Sequence, residues 1–297
     1  MTKILLTGIT GQVGRELARA LAPLGQLVIP GRSRCDLSRP ETLSALVDEV
    51  CPSVIVNAAA YTAVDKAETE VDLAMTINGD APRELAIAAR RHGALMVHFS
   101  TDYVFDGCKL AAYDEDDQPN PLSSYGRSKL VGEDAVRTAA GDYLIFRTSW
   151  VYAADGNNFL RTILRLAEER DQLRIVADQA GAPTPARLIA DTTAMTLDRD
   201  LVRRKSGDFA SDTFHLTASG KTTWHGFASA IVEGARQRGQ VLRCRDIIPI
   251  RTAEYPLPAV RPANSSLSCK RLELRYGTKL PNWETCLAQV FEKYFRA

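Results

Sequence analysis

The sequence lacks the long apolar segments found in membrane proteins and secreted precursors. None of its 297 residues lies in a run of about eighteen apolar residues, and the apolar stretch at the N-terminus is too brief for a signal-peptide core. Internal repeats and low-complexity tracts are absent as well. These absences predict a soluble, non-repetitive protein that has no membrane partner.

A charge excess of either sign is also missing. Lysine and arginine number 37 against 36 aspartate and glutamate residues, which gives a formal net charge of +1. No nucleic-acid partner is expected, because phosphate binding needs a basic surface. The six cysteines are scattered, without a C-x-x-C pair or a histidine cluster, so we expect reduced thiols in a cytoplasmic protein and no metal centre. A small molecule is the favoured partner.

The first half of the chain alternates short apolar runs with amphipathic stretches. The runs with the length of strands are 3–7, 26–30, 54–57, 95–100 and 143–148. The helical patterns between them are 12–24, 40–50, 73–92 and 123–140. Strand-helix alternation predicts an α/β fold of the Rossmann type, with a doubly wound parallel sheet covered on both faces.

After Trp150 the rhythm changes. Helical patterns at 158–169 and 188–201 precede a candidate strand of the main sheet at 213–217, and a proline-rich surface loop is expected over 249–262. We therefore predict a dinucleotide-binding Rossmann domain over 1–149, with later contributions near 187–217. Residues 150–297 are expected to form mainly a smaller, mixed substrate-binding domain.

A glycine motif stands where the first strand gives way to the first helix. Gly8, Gly11 and Gly14, with Gln12 and Val13 between the last two, let backbone amides approach a pyrophosphate at a helix N-terminus. The alternative is a glycine-rich turn without a ligand. The strand-to-helix setting favours the dinucleotide site.

The G-x-x-G-x-x-G spacing resembles the extended short-chain dehydrogenase/reductase superfamily, which also has a Tyr-x-x-x-Lys on a helix. Tyr125 and Lys129 supply it, and their spacing places both on one helix face, where Lys129 would lower the pKa of Tyr125. Taken alone, a tyrosine and a lysine at this spacing more often lie on a solvent-exposed helix face. Thr101, after the strand 95–100, fits the superfamily's carbonyl-binding hydroxyl or a turn residue that bonds its own backbone. The three signals in the expected order favour catalysis.

The resemblance narrows to the dTDP-4-dehydrorhamnose reductase family and covers most of the chain. The segments that carry it are 7–14, 56–68, 100–105, 146–152, 156–159, 178–184 and 261–265. It implies an NADPH-dependent reduction of the C4 keto group of dTDP-4-dehydro-β-L-rhamnose to dTDP-L-rhamnose. By this resemblance Tyr125 is the general acid, Lys129 is its partner and a ligand of the nicotinamide ribose, and Thr101 orients the carbonyl.

The resemblance also implies a set of substrate-binding residues. They are Thr62, Val64, Thr101, Tyr103, Trp150, Arg261 and Asn264. For two of them a simpler interpretation stays open, since Trp150 has the place of a core aromatic at a strand end and Arg261 that of a surface arginine between prolines.

Further residues are expected to contact the cofactor. Asn57, Ala58 and Ala59 would let it pass close to the third strand. Asp36 and Leu37 have the place where family members contact the adenine, although Asp36 could equally be a turn residue before a helix cap at Ser38.

No carboxylate ends the second strand, where NAD enzymes hold the ribose hydroxyl. Arg32 and Ser33 stand there instead and could pair with a 2′-phosphate, so NADPH is expected to be preferred and NADH to remain usable.

Some family members are thought to dimerise around a divalent cation such as Mg²⁺. Glu16 matches one of their ligands, but Arg187 stands where those members carry a carboxylate and would repel the ion. The sequence therefore argues against a dimer bridged by Mg²⁺, and whether the protein forms a homodimer stays open. Two other functions also stay open: a reductase or epimerase for another nucleotide sugar, and a non-catalytic NAD(P)-binding regulatory subunit.

Overall fold

The computed structural model describes residues 2–295. The strands in chain order are β1 (Lys3–Thr7), β2 (Gln26–Val28), β3 (Val54–Asn57), β4 (Leu95–Thr101), β5 (Asp142–Thr148), β6 (Val151–Tyr152), β7 (Gln172–Val176), β8 (Ala180–Gly181), β9 (Thr184–Pro185), β10 (Asp212–His215), β11 (Thr222–Thr223) and β12 (Asp246–Ile250). The α-helices are α1 (Gln12–Leu21), α2 (Leu43–Val50), α3 (Val71–Met75), α4 (Ala81–Arg91), α5 (Ser124–Ala139), α6 (Phe159–Glu169), α7 (Ala186–Ser206), α8 (Trp224–Arg236), α9 (Lys270–Tyr276) and α10 (Trp283–Tyr294).

Within this described part, a sheet of six parallel strands forms the centre of the molecule. Its order is β2, β1, β3, β4, β5, β10. The chain runs from β1 outward to β2 and then crosses to β3 on the other side of β1. A sheet of this kind binds ligands outside the carboxyl ends of the strands where the order reverses. The ends of β1 and β3 are therefore the expected place for a dinucleotide.

Helices cover both faces of the sheet, as the buried strands require. On one face α1, α7 and α9 pack through side chains such as Leu17, Ile189 and Leu272. On the other face α2, α4 and α5 pack through side chains such as Val47 and Leu85. The predicted doubly wound α/β fold is confirmed, and β10 is the additional strand expected near 213–217.

A second apolar core lies beyond the sheet. It joins α6, α8 and α10, with Tyr152, Phe227 and Phe291 among its buried members. The main sheet also takes β10 and the helix α7 from the second half of the chain. The division into a dinucleotide-binding domain over 1–149, with later contributions near 187–217, and a substrate-binding domain over 150–297 stays a prediction.

Three local expectations are wrong. The helical pattern 73–92 is not one helix, because a π-helical turn, Thr76–Asp80, separates α3 from α4. The loop expected over 249–262 begins later, since Pro249 pairs within β12. Ser38 caps no helix: its hydroxyl donates to Asp36, and the 3-10 turn that follows has no side-chain cap.

No helix in the stretch from residue 2 to 295 is both long and apolar enough to span a membrane.

Candidate active site

The glycine motif forms a tight junction between β1 and the turn after β3. Gly8 has a φ of +78°, and a Cβ atom there would lie 2.5 Å from the carbonyl carbon of Ala58. A Cβ on Gly14 would overlap the carbonyl oxygen of Gly8. Because glycine alone allows both contacts, the motif brings the ends of β1 and β3 together and seats the start of α1 beside them.

The N-terminus of α1 has the properties of an anion site. Gly11 caps the helix without any side-chain hydrogen bond, and the first turn contains no acidic residue. Its backbone amides are therefore not capped by a side chain, and the positive end of the helix dipole faces the same place. A pyrophosphate fits this cradle. Of the neighbouring predicted residues, Val13 packs on the core and Gln12 accepts a bond from Asn158 at 3.0 Å.

Asn57 lies at the end of β3 in a buried polar chain. Thr7 Oγ1 donates to Asn57 Oδ1 at 2.7 Å, and Asn57 Nδ2 lies 3.3 Å from Nδ1 of His98. The other ring nitrogen of His98 lies 3.4 Å from Lys129 Nζ. The chain thus connects the cofactor side of the sheet to the predicted catalytic lysine. His98 was missed in the sequence, where it stands alone in an apolar strand.

The expected adenine end lies beyond β2. Arg32 is 85% exposed and has only a weak ion pair, at 4.0 Å, with Asp36. Asp36 accepts from the backbone amide and hydroxyl of Ser38, and these bonds lower its pKa. Asp36 is therefore a turn residue, but the helix cap at Ser38 that this interpretation included is absent. The contact of Asp36 with adenine stays a prediction. Leu37 is buried beside it. Arg32 is free to meet a phosphate.

Tyr125 and Lys129 lie on the first turns of α5. Ser123 caps this helix by accepting from the amide of Gly126 at 3.1 Å. Lys129 is only 2% exposed, and its Nζ donates to the carbonyl oxygen of Phe99 at 2.6 Å. The lysine is therefore fixed against β4, while the Tyr125 side chain is half-buried.

The electrostatics of this pair differ from the expectation. Burial raises the pKa of Tyr125 to about 12; a hydrogen bond with Thr101 opposes this shift and the charge of Asp102 adds to it. Burial lowers the pKa of Lys129 to about 8, against the attraction of Glu133. Lys129 therefore does not give Tyr125 a pKa below its usual value in this structure. A phenol that keeps its proton at neutral pH is the state needed to protonate a carbonyl oxygen.

Thr101 ends β4 beside Tyr125. Its hydroxyl donates to Asp102 Oδ1 at 2.9 Å and accepts from the backbone amide of Tyr103 at 3.2 Å. It also forms the hydrogen bond with Tyr125 noted above. The ring of Tyr103 packs edge-on against that of Tyr125, with centroids 5.9 Å apart. Thr101 and Tyr125 are therefore neighbours, and the turn interpretation of Thr101 holds as well.

Trp150 lies at the junction between the two cores. It has an unusual φ of +45° and stacks on Trp224, with ring centroids 3.6 Å apart and planes 7° apart. Gly181 lies against it, since a Cβ there would approach the indole to 2.6 Å. The ring is only partly buried, and a strained non-glycine residue of this kind is typical of a functional site. Trp224 was missed because a tryptophan at a helix start has the pattern of a core residue.

Arg261 is held by a carboxylate from the first half of the chain. Its two terminal nitrogens bond the two oxygens of Asp65 at 3.1 and 2.9 Å, and it hydrogen-bonds Tyr103. This pairing lowers the pKa of Asp65. Thr62 and Val64 lie on the same loop as Asp65, exposed and half-buried respectively.

Asn264 is buried, and its amide nitrogen donates to the carbonyl oxygens of Lys109 and Ala111 at 2.7 and 2.9 Å. Its oxygen accepts from Ser266. The side chain holds a loop in place in this structure, and a substrate contact stays a prediction.

Glu16 lies among cations. It forms ion pairs with Arg19 and Lys293, both at 3.1 Å, and Arg187 pairs with Asp191 at 3.5 Å. Among residues 2–295 there is no group of three or more histidine, cysteine, aspartate or glutamate side chains placed to hold a metal ion. The charge of Glu16 is balanced by the protein itself.

Comparisons with known proteins agree with this geometry. A family model described as RmlD substrate binding domain matches residues 1–296. The dTDP-4-dehydrorhamnose reductase of Burkholderia thailandensis is 54% identical over 283 residues, 95% of each chain, and that of Escherichia coli K12 is 45% identical over 296 residues, 98% of each. The crystal structure of dTDP-4-dehydrorhamnose reductase from Bacillus anthracis in complex with NADP has a TM-score of 0.88 at 34% identity, covering 99% of this chain and 100% of that one.

The fold and the site define an oxidoreductase of the short-chain dehydrogenase/reductase class. The relatives that match nearly the whole chain belong to one family within that class. The chain belongs to the dTDP-4-dehydrorhamnose reductase family, which confirms the resemblance found in its sequence.

Proposed function

We propose that the protein reduces the C4 keto group of dTDP-4-dehydro-β-L-rhamnose with NADPH and releases dTDP-L-rhamnose. The observation that carries this proposal is the contact of Tyr125 with Thr101 and the placement of Lys129 one helical turn away, at the end of β4. The glycine cradle lies at the ends of β1 and β3 in the same sheet. The relative that is 54% identical to this chain is named dTDP-4-dehydrorhamnose reductase.

The cofactor proposal rests on the cradle and on the second strand. The uncapped start of α1 would hold the pyrophosphate, and the exposed guanidinium of Arg32 would hold a 2′-phosphate. Asn57, Ala58 and Ala59 border the same crevice. When bound, the reduced nicotinamide supplies the hydride for the carbonyl carbon. The neighbour from Bacillus anthracis was crystallised with NADP, which supports the choice of phosphorylated cofactor.

The chain's own residues would manage the proton and the carbonyl oxygen. Tyr125 donates its phenolic proton to that oxygen as negative charge develops there, and the high pKa keeps the proton in place until it is needed. Lys129 supplies a fixed positive charge beneath the tyrosine and a donor for the nicotinamide ribose. Thr101 donates a second hydrogen bond to the oxygen.

The substrate would lie between the two apolar cores. The stacked pair Trp150 and Trp224 offers a rigid aromatic wall for the deoxysugar. Arg261, held by Asp65, and the exposed Thr62 would meet the polar part of the nucleotide sugar. In this proposal residues 150–297 form most of the substrate side.

A cytoplasmic location fits the cysteines. All six are unpaired, and Cys51 and Cys108 are exposed. Exposed free thiols are stable in a reducing compartment.

The proposal is tested by following NADPH absorbance with dTDP-4-dehydro-6-deoxyglucose and a 3,5-epimerase. We expect rapid oxidation that yields dTDP-L-rhamnose and falls by about 100-fold or more in Tyr125→Phe, which lacks only the proton donor. GDP- and UDP-linked keto sugars serve as the comparison. Faster turnover of one of these would favour a different nucleotide sugar. NADPH binding without consumption of any sugar would favour a regulatory subunit.

A further inference from the structure

The hydroxyl of Thr101 has no hydrogen left for a substrate when Asp102 is ionised. A threonine hydroxyl has one hydrogen and two acceptor lone pairs. The hydrogen goes to the carboxylate of Asp102 at 2.9 Å, and one lone pair accepts from the amide of Tyr103 at 3.2 Å. In this state the hydroxyl of Thr101 has no hydrogen to donate to a carbonyl.

We propose that Asp102 works as a neutral carboxylic acid, which donates its hydrogen to Thr101 and so directs the hydroxyl hydrogen of Thr101 to the substrate carbonyl. This inference rests on the proposed function. Once the acid donates, the lone pairs of Thr101 are filled by Asp102 and by the amide of Tyr103. Thr101 must then donate its own hydrogen elsewhere. In the proposed complex the acceptor is the carbonyl oxygen of the substrate, which also receives the proton of Tyr125.

The surroundings of Asp102 favour the neutral acid. Its side chain is 3% exposed, and among residues 2–295 its Oδ2 atom has no hydrogen-bond partner. Burial raises its pKa to about 7, against the hydrogen bond from Thr101. The titratable groups next to it are the phenols of Tyr103 and Tyr125, and the charge of Asp102 raises the pKa of each.

The cations nearby are engaged by other groups. Arg261 reaches Tyr103 but is bound by both oxygens of Asp65, and Lys129 on the opposite helix donates to the carbonyl of Phe99. Asp102 therefore acts through Thr101 and is a positioning residue, not one that touches the substrate.

The sign of the pH dependence follows directly. The working form is the protonated acid, so activity is full below the pKa of Asp102 and is lost as the pH rises through it. A single deprotonation predicts that kcat falls about tenfold for each pH unit above about 8. An amide in place of the acid cannot ionise, and its nitrogen can donate to Thr101 in the same direction as the protonated carboxyl.

The test compares kcat and KM with NADPH across about pH 6 to 9 for the wild type, Asp102→Asn and Asp102→Ala. We expect Asp102→Asn to keep kcat within about tenfold at about pH 6 and to lose the fall that begins at about pH 7. The fall that remains should begin at about pH 8, where Lys129 loses its charge, whereas Asp102→Ala loses about 100-fold at every pH. Asp116→Asn is the control, because it removes an exposed carboxylate from the segment between β4 and α5 that also contains Asp102. This variant should leave the wild-type pH profile unchanged. An unchanged alkaline fall in Asp102→Asn would overturn the proposal.

A second readout does not depend on turnover. Infrared difference spectra of the NADPH complex, taken at acidic and alkaline pH, should contain a protonated-carboxyl stretching band that is lost as pH rises and is absent in Asp102→Asn. An enzyme that turns over no sugar but shows this band refutes the proposed substrate and retains the acid. Turnover of the sugar with Asp102 ionised throughout retains the function and refutes the role of Asp102.

Discussion

Glu133→Gln should destabilise the protein strongly, because Glu133 balances a buried arginine beneath the catalytic helix. The carboxylate of Glu133 is completely buried and accepts from Arg147 Nε and Nη2 at 2.9 and 2.7 Å. Arg147 is itself 2% exposed. Arg137 bonds the same carboxylate from the helix surface. Glutamine keeps one acceptor oxygen and removes the negative charge.

Removing one partner of a buried ion pair costs about 3–5 kcal/mol, because the remaining charge is left without compensation. The retained amide oxygen places the expected loss of unfolding free energy near the lower value, about 3 kcal/mol. At about 2 to 4 °C per kcal/mol, the range for large domains, Tm should fall by about 6–12 °C.

The neighbouring residue supplies a matched control. Asp134 lies next to Glu133 on α5 and also pairs with Arg137, but its side chain is 64% exposed. Asp134→Asn should cost less than about 1 kcal/mol, since solvent screens exposed pairs. Thermal and urea unfolding of both variants provide the comparison. Equal losses in the two variants, or a Glu133→Gln variant as stable as the wild type, would refute the buried ion-pair argument.

Three further predictions concern ligand binding. Gly14→Ala should weaken NADPH binding by about tenfold or more, because the new methyl group overlaps the carbonyl oxygen of Gly8. Gly31→Ala is the control, since its methyl group meets nothing within 4 Å. Equal NADPH affinities of the two variants in a fluorescence titration would contradict this prediction. Arg32→Ala should raise the KM for NADPH by about tenfold and leave that for NADH unchanged, so an equal effect on both cofactors in steady-state kinetics would contradict a phosphate contact. Trp224→Ala removes the ring that stacks on Trp150 and should raise the KM for the sugar nucleotide by about tenfold without changing NADPH affinity; a loss of NADPH affinity alone would argue against an aromatic wall for the sugar.

The parts of the fold that follow local periodicity could be predicted from the sequence. The strands β1, β3, β4 and β5 are apolar runs, and the glycine motif identified the turn where α1 begins. The π-helical turn within 73–92 could not be recognised from the sequence. Such a turn is defined by its backbone hydrogen bonds, and the pattern of apolar residues does not reveal them.

The site was predictable where a motif holds residues close in sequence and unpredictable where distant segments meet. Tyr125 and Lys129 share a helix face, as their spacing requires. That spacing did not reveal that Lys129 bonds a strand carbonyl, or that burial outweighs its charge at Tyr125. Arg261 meets Asp65 across 196 positions of sequence, and no local pattern in either segment indicates the pair.

The most direct test of the proposed reaction is hydride transfer from NADPH that carries deuterium on the transferable position of nicotinamide C4. The wild-type protein, supplied with dTDP-4-dehydro-β-L-rhamnose, should release dTDP-L-rhamnose with one deuterium at sugar C4, as read by NMR and mass spectrometry. Tyr125→Phe should bind the cofactor and form this product far more slowly. A wild-type protein that binds both ligands but leaves the deuterium in the cofactor would contradict the proposed reaction.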